Sequence, residues 1–270
     1  MDLWELGQAE GVRLLTAGTG PTVVVFPGME GSGESCLRLA ADVVLSRPGA
    51  GRLVLVDYAG ERHRFLGALI DTIAGLLERH LDLSPITWWG QSFGNLLLAG
   101  AQPLIAAPVA GTVLVSPFTG LPSGRLRAAR AVLAMTPQAL YSATSPVVSR
   151  FLFGPAPRGT GADFFSALGR MRLVDLRRRA GWLQGGDLAG YFLSLPGPLG
   201  VWFGEEDRLV DRPRQLAFFT ALTKGVGGCV NVLDGCGHVL LPASAVELAA
   251  QGIGEWLTPP ETNPAQAPTR

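Results

Sequence analysis

The chain has 270 residues, 47% of them hydrophobic and 16% charged. That length suits one large α/β domain, or one domain carrying an insertion, and the apolar share excludes a disordered or fibrous chain. Lysines and arginines number 22, as do aspartates and glutamates, so net charge is zero and nothing global calls for nucleic acid as a partner.

Three cysteines, Cys36, Cys229 and Cys236, are an odd count with no repeated spacing. They make a poor disulfide framework and fit reduced thiols of a cytoplasmic protein, with a Cys229–Cys236 bridge as the lesser alternative. No Cys/His cluster has the spacing of a zinc site, and no cofactor is expected. The start, Met1-Asp2-Leu3-Trp4-Glu5, lacks a basic segment followed by an apolar one, so no signal peptide is expected. Leu96 to Phe118 carries no charge over 23 residues, but Gln102, Pro103 and Pro108 break it into pieces too short to span a bilayer.

Thr22-Val-Val-Val-Phe26 is apolar on both faces and stops at Pro27-Gly28, as a buried parallel strand does. A glycine- and serine-containing loop and a helix near 35–45 follow. Leu53–Val56 is a second strand, and apolar spacing through Leu66, Leu69, Ile70, Ile73, Leu76 and Leu77 predicts a helix from about Phe65 to His80. Ile86–Trp89 is a third strand, with Trp88 and Trp89 on opposite faces. Phe93–Ala101 is a helix and Val109–Val115 a fourth strand. Strands alternating with helices give right-handed crossovers and a mostly parallel sheet. From Phe118 to about Pro196 the pattern turns helical. Leu199–Phe203, a helix at Arg214–Leu222, the strand Cys229–Leu233 and a helix at Ala243–Leu257 then complete the alternation. The expected division is a core of 1–117 and 197–257, a helical insert of 118–196, and a Pro- and Thr-rich tail, 258–270.

Gly90-Gln91-Ser92-Phe93-Gly94 falls where a strand gives way to a helix. A serine on so tight a turn is held in a strained conformation with its hydroxyl projecting from the sheet's carboxyl end, and the flanking glycines let strand and helix approach closely. The helix N-terminus favours developing negative charge. The alternative is a serine that merely caps the helix.

With this motif, strand order and insert, the chain resembles the α/β-hydrolase superfamily from about Thr22 to Leu257. The resemblance implies a mostly parallel central sheet flanked by helices, with a helical cap inserted between strands. It also implies a nucleophile, acid and histidine in that chain order. Ser92 is then the nucleophile. His238 is the histidine downstream of it, in Asp234-Gly-Cys-Gly-His238, and would act as general base and then general acid. Asp207, in Phe203-Gly-Glu-Glu-Asp207, takes the acid's position, with Glu205 and Glu206 as fallbacks read as solvated. His80 is expected to end a helix, and His63, in a charged run, to be solvated. The oxyanion donors would be the backbone N–H groups of Phe93 and Met29, the second in the loop Pro27-Gly28-Met29-Glu30-Gly31. Where the family often has His-Gly, this chain has Pro27-Gly28, which leaves open what supports the loop. That loop lacks the Gly-Lys-Ser/Thr ending of a phosphate cradle.

The insert would form a lid, with Gly28, Gln91, Tyr141, Phe165 and Trp182 as substrate-binding candidates. Ten arginines against three aspartates between Phe118 and Leu195 make it basic on an acidic body. Arginine forks at Arg177, Arg178 and Arg179 could recognise an anionic carrier such as coenzyme A or an acyl carrier protein; equally, they could pair with the body. The activity implied is hydrolysis of a carboxylic ester or thioester of a small molecule, without nucleic acid or membrane insertion. Acyl transfer, lactonisation or C–C hydrolysis on the same triad, and a non-catalytic ligand receptor, are the alternatives.

Overall fold

The structure, a computed structural model, describes residues 3–32, 51–144, 154, 168–184 and 187–238. The helices expected near 35–45 and 243–257, the tail, and Phe165 lie outside the described residues.

Among the described residues eight strands form one sheet: β1 (Trp4–Ala9), β2 (Val12–Ala17), β3 (Thr22–Phe26), β4 (Arg52–Asp57), β5 (Ile86–Gln91), β6 (Val109–Val115), β7 (Leu199–Gly204) and β8 (Gly228–Leu233). Their order is β1-β2-β4-β3-β5-β6-β7-β8. Strands β4 to β8 pair in parallel through β3, while β1–β2 and β2–β4 are antiparallel. Strands β3, β5 and β7 are buried at every residue, as in a sheet covered on both faces, and the β-branched apolar run of β3 foretells it.

Among the described residues the helices with both ends in view are α1 (Leu66–His80), α2 (Gly94–Ala101), α3 (Ser123–Met135), α4 (Leu173–Trp182), α5 (Ala189–Phe192) and α6 (Arg212–Val226). Helix α1 buries Leu66, Leu69, Ile70, Ile73, Leu76 and Leu77, the stripe its spacing predicts, and it ends on His80. Trp88 and Trp89 are both fully buried. The uncharged stretch after Leu96 divides into α2, a 3-10 turn and β6, and no described helix is long and apolar enough to cross a membrane. Between β6 and β7 the described residues contain helices and no strand.

Local sequence pattern does not announce the β1–β2 hairpin. Glu10 and Gly11 make its turn with φ of 49° and 80°, the left-handed pair that a two-residue hairpin demands. A Cβ on Gly11 would stand 2.2 Å from the Gly60 carbonyl oxygen, so the turn is also wedged against the chain leaving β4.

Candidate active site

Ser92 stands between β5 and α2 with φ of 51°, a left-handed conformation that costs a serine energy and persists only where its surroundings impose it. They do so here through backbone. Ser92 N–H donates to the Val115 carbonyl at 2.9 Å, tying the turn to β6. Asn95 Nδ2 donates to the carbonyls of Ser92 and Val115, both at 2.9 Å, and Asn95 is fully buried. Gly94 lets α2 touch the end of β3: a Cβ there would meet the carbonyl oxygens of Pro27 and Phe26 at 2.1 and 2.5 Å. Gly90 likewise admits Asn95, whose Oδ1 would lie 2.6 Å from a Cβ.

The Ser92 hydroxyl lies 2.8 Å from His238 Nε2, and His238 Nδ1 lies 2.7 Å from Asp207 Oδ2. Both the His238 and Asp207 side chains are fully buried. A carboxylate only accepts, so Nδ1 carries the proton and Nε2 is left to accept from Ser92. Asp207 Oδ1 accepts from the N–H groups of Leu209 at 2.8 Å and Val210 at 3.3 Å, which fixes the carboxyl's orientation. Burial by itself would raise the Asp207 pKa. The charge of His238 and the hydrogen bonds from His238, Leu209 and Val210 outweigh it and hold the carboxyl below the ordinary range. Glu205 and Glu206 are exposed, as expected of solvated carboxylates.

Beside Ser92 runs the loop after β3. Gly28 N–H donates to Glu30 Oε1 at 3.1 Å, and the Tyr58 hydroxyl reaches the carbonyls of Pro27 and Gly28. Arg179 Nη1 donates to the Met29 carbonyl. Among the described residues the N–H groups of Met29 and Phe93 donate to no protein acceptor.

This order of elements, with a serine at the strained turn after β5 and an acid and a histidine after β7 and β8, coincides with a sequence-family match. The model of the alpha/beta hydrolase family covers residues 9–251. The chain belongs to the alpha/beta hydrolase family. No functionally curated protein matches it in sequence. Solved structures similar to it include the esterase RhEst1 from Rhodococcus sp. ECU1013, at 17% identity over 95% of this chain and 98% of that one, with a TM-score of 0.69. The carboxylesterase CesB from Bacillus subtilis aligns at 14% identity over 95% and 91% of the two chains, TM-score 0.68. An enol-lactonase from Burkholderia xenovorans LB400 aligns at 16% over 92% and 98%, TM-score 0.69. At these identities the likeness is one of fold.

In this alpha/beta hydrolase α4 reaches the turn through Trp182. Its ring stacks on Phe93 with centroids 6.2 Å apart, and its N–H donates to the Arg64 carbonyl at 3.0 Å. Tyr141 is buried and its hydroxyl donates to the Leu168 carbonyl at 2.8 Å; burial and the nearby Glu30 carboxylate push the phenol up to about 12. Gln91 is buried at the end of β5. Elsewhere between β6 and β7, Phe192 packs edge-on against Phe219 within the main core, while Met135 and Leu140 are exposed.

The three consecutive arginines face the protein. Arg177 donates to the carbonyls of Leu133, Ala134 and Thr136 at the end of α3. Arg178 and Arg179 meet Glu61 Oε1 at 2.6 and 3.1 Å, and Arg178 also meets Asp175. His63, expected in solvent, is instead buried: its Nε2 lies 2.9 Å from Glu10 and 2.9 Å from Thr72, and its Nδ1 3.4 Å from Glu61. Within that charged run Glu61 and His63 turn inward while Arg62 and Arg64 stay exposed, and the buried Glu61 pairs with Arg178 and Arg179 of α4. Nothing in local periodicity foretells that pairing. Asn95 has no place in the sequence-based expectations either, although a polar residue at the second position of α2, three residues after the serine, is a local signal.

Proposed function

We propose that this alpha/beta hydrolase is a serine hydrolase cleaving carboxylic esters or thioesters of small molecules through an acyl-enzyme on Ser92. The observation that carries the reading is the buried line of Ser92 Oγ, His238 and Asp207, at 2.8 and 2.7 Å, anchored on a serine held at φ 51°. His238 takes the proton as Ser92 Oγ attacks the acyl carbon. The N–H groups of Met29 and Phe93 receive the charge on the carbonyl oxygen. The imidazolium, stabilised by Asp207, protonates the departing alcohol or thiol, and water admitted by the same base frees the acid.

In this reading 118–196 serves as a lid on a core of 1–117 and 197–257, and Trp182, Gly28, Gln91 and Tyr141 border the acyl side. Uncharged esters rank ahead of substrates on coenzyme A or an acyl carrier protein, because Arg177, Arg178 and Arg179 are engaged with protein acceptors. The free thiols of Cys229 and Cys236 suit a cytoplasmic setting.

The test is a panel of p-nitrophenyl esters, lactones and acyl thioesters of varied length, run on wild type and Ser92→Ala beside labelling with a fluorophosphonate. Turnover and labelling that both vanish in Ser92→Ala support the reading. Labelling of Ser92 with no turnover of any substrate favours a ligand receptor. Products carrying an added alcohol in place of water favour acyl transfer.

A further inference from the structure

We propose that Tyr58 and Arg179 are positioning residues of the oxyanion hole, and that Arg179 makes the aim of that hole depend on helix α4 being docked. The proposal rests on the reading of Ser92 as nucleophile and of Met29 N–H as an oxyanion donor.

The argument begins with one peptide plane. The Gly28–Met29 bond is trans, so the Gly28 carbonyl and the Met29 N–H point in opposite directions within one rigid unit. Whatever holds the carbonyl therefore aims the N–H. The Tyr58 hydroxyl does so: it shares its proton between the carbonyls of Gly28 and Pro27. Arg179 Nη1 holds the next carbonyl, that of Met29. Two successive planes are thus pinned, which fixes the backbone torsions of Met29 from both sides. A hydrogen bond to the Gly28 oxygen also polarises its peptide and strengthens the N–H on the far edge.

Tyr58 and Arg179 hold each other as well. Arg179 Nη2 donates to the Tyr58 carbonyl at 2.6 Å, and its guanidinium lies 4.9 Å from the centre of the Tyr58 ring. Tyr58 N–H donates to the Gly31 carbonyl at 2.8 Å. Gly31 has φ of 71°, and a Cβ there would meet Tyr58 Cδ2 at 2.7 Å and Arg179 Nη1 at 2.8 Å. The loop thus has a glycine where these two side chains pass. Arg179 reaches Met29 across 150 residues of sequence, from a helix of the insert, and its side chain is fully buried with Glu61 as counter-charge. A buried guanidinium is a costly means of packing a helix. Its contacts, on carbonyls 29 and 58, suit the aiming of a backbone better. This also supplies what the missing histidine before Gly28 left open: the loop is supported from Tyr58 and the insert.

Tyr58→Phe keeps the ring and removes the hydroxyl. Losing one oxyanion donor outright costs about a hundred- to a thousandfold in kcat, so misaiming one is expected to cost about ten- to a hundredfold. That fall is expected both in kcat for p-nitrophenyl acetate and in the rate constant for phosphonylation of Ser92 by a fluorophosphonate. KM and the acid limb of the pH–rate profile are expected to stay at wild-type values. Arg179→Met combined with Glu61→Gln removes the buried pair together and is expected to show the same pattern. Arg179→Lys, which keeps one donor, is expected to recover part of the rate. Phosphonylation of Tyr58→Phe at the wild-type rate would overturn the proposal, as would a fall in rate matched by a rise in KM, the mark of a general loss of packing. Wild type that is not labelled at Ser92 would instead sink the reading of the site on which the proposal stands.

Discussion

A Cβ built on Gly94 would lie 2.1 Å from the carbonyl oxygen of Pro27. Helix α2 and the loop after β3 therefore meet backbone against backbone, and the turn that carries Ser92 is braced on the segment that carries Met29. Gly94→Ala cannot be absorbed by a flexible side chain, so the loop must move. Overpacking of this kind costs about 1–3 kcal/mol, and a displacement near 1 Å at a reacting centre costs about a hundredfold in rate. Urea denaturation and ester turnover would register both losses. Gly67→Ala, in α1 with nothing within 4 Å of the new carbon, is expected to stabilise by about 0.5–1 kcal/mol through helix propensity. Equal behaviour of the two variants would refute the bracing argument.

Asp207 supplies a pH dependence whose sign is fixed by its depressed pKa. The native carboxyl releases its proton more readily than the unfolded one, whose value is about 3.9. Its contribution to stability is complete above that value and is lost as pH falls through the lower native value. Asp207→Asn removes this contribution, so thermal melts of wild type and variant should converge in strong acid and diverge towards neutrality. Activity at neutral pH should fall by about ten-thousandfold, because the amide can no longer hold the imidazole tautomer that accepts from Ser92. A variant that retains a tenth of wild-type kcat would show that Asp207 does not orient His238.

The legible parts of the chain are those written in local pattern. β3 and β7 announce themselves as apolar runs, α1 by its 3.6-residue stripe, and Ser92 by glycines that its turn requires. His238 and Asp207 followed from chain order within a resemblance, not from spacing. What escaped was set by contacts far apart in sequence. β1, Trp-Glu-Leu-Gly-Gln-Ala, has weak strand chemistry of its own and forms because β2 pairs with β4 at its other edge. His63 looks solvated in its charged run, but the Glu61 beside it pairs with Arg178 and Arg179 from more than 100 residues away, and two of the arginines that looked available for a ligand are consumed by that encounter.

Two thiols differ enough to be told apart chemically. Cys236 is buried, and burial together with Asp234 and Glu206 pushes it up to about 11. At pH 8 about one Cys236 in a thousand is then thiolate, the form that reacts. Cys229 is exposed on β8. A short pulse of iodoacetamide at pH 8, read by peptide mass spectrometry, should modify Cys229 and leave Cys236 intact until urea unfolds the chain. Prompt modification of Cys236 in native protein would contradict its burial.

The Glu61 carboxylate sets the scale for what α4 contributes to the fold. It is fully buried and faces Arg178 at 2.6 Å and Arg179 at 3.1 Å, and the Arg179 side chain is itself fully buried. Arg13 and Asp57 form an ion pair of similar length, 3.0 Å, but the Arg13 side chain is 47% exposed. Water already solvates the exposed guanidinium, so Arg13→Ala is expected to cost at most about 1 kcal/mol. Glu61→Ala strands a buried cation whose remaining partners are neutral carbonyls, and a buried pair broken on one side costs about 3–5 kcal/mol. Glu61→Gln keeps acceptors near both guanidiniums and should fall between the two. Urea midpoints of the three variants give the order directly. If Glu61→Ala unfolds no earlier than Arg13→Ala, the insert is not held to the body through this charge, and the route from α4 to the Met29 loop loses its anchor.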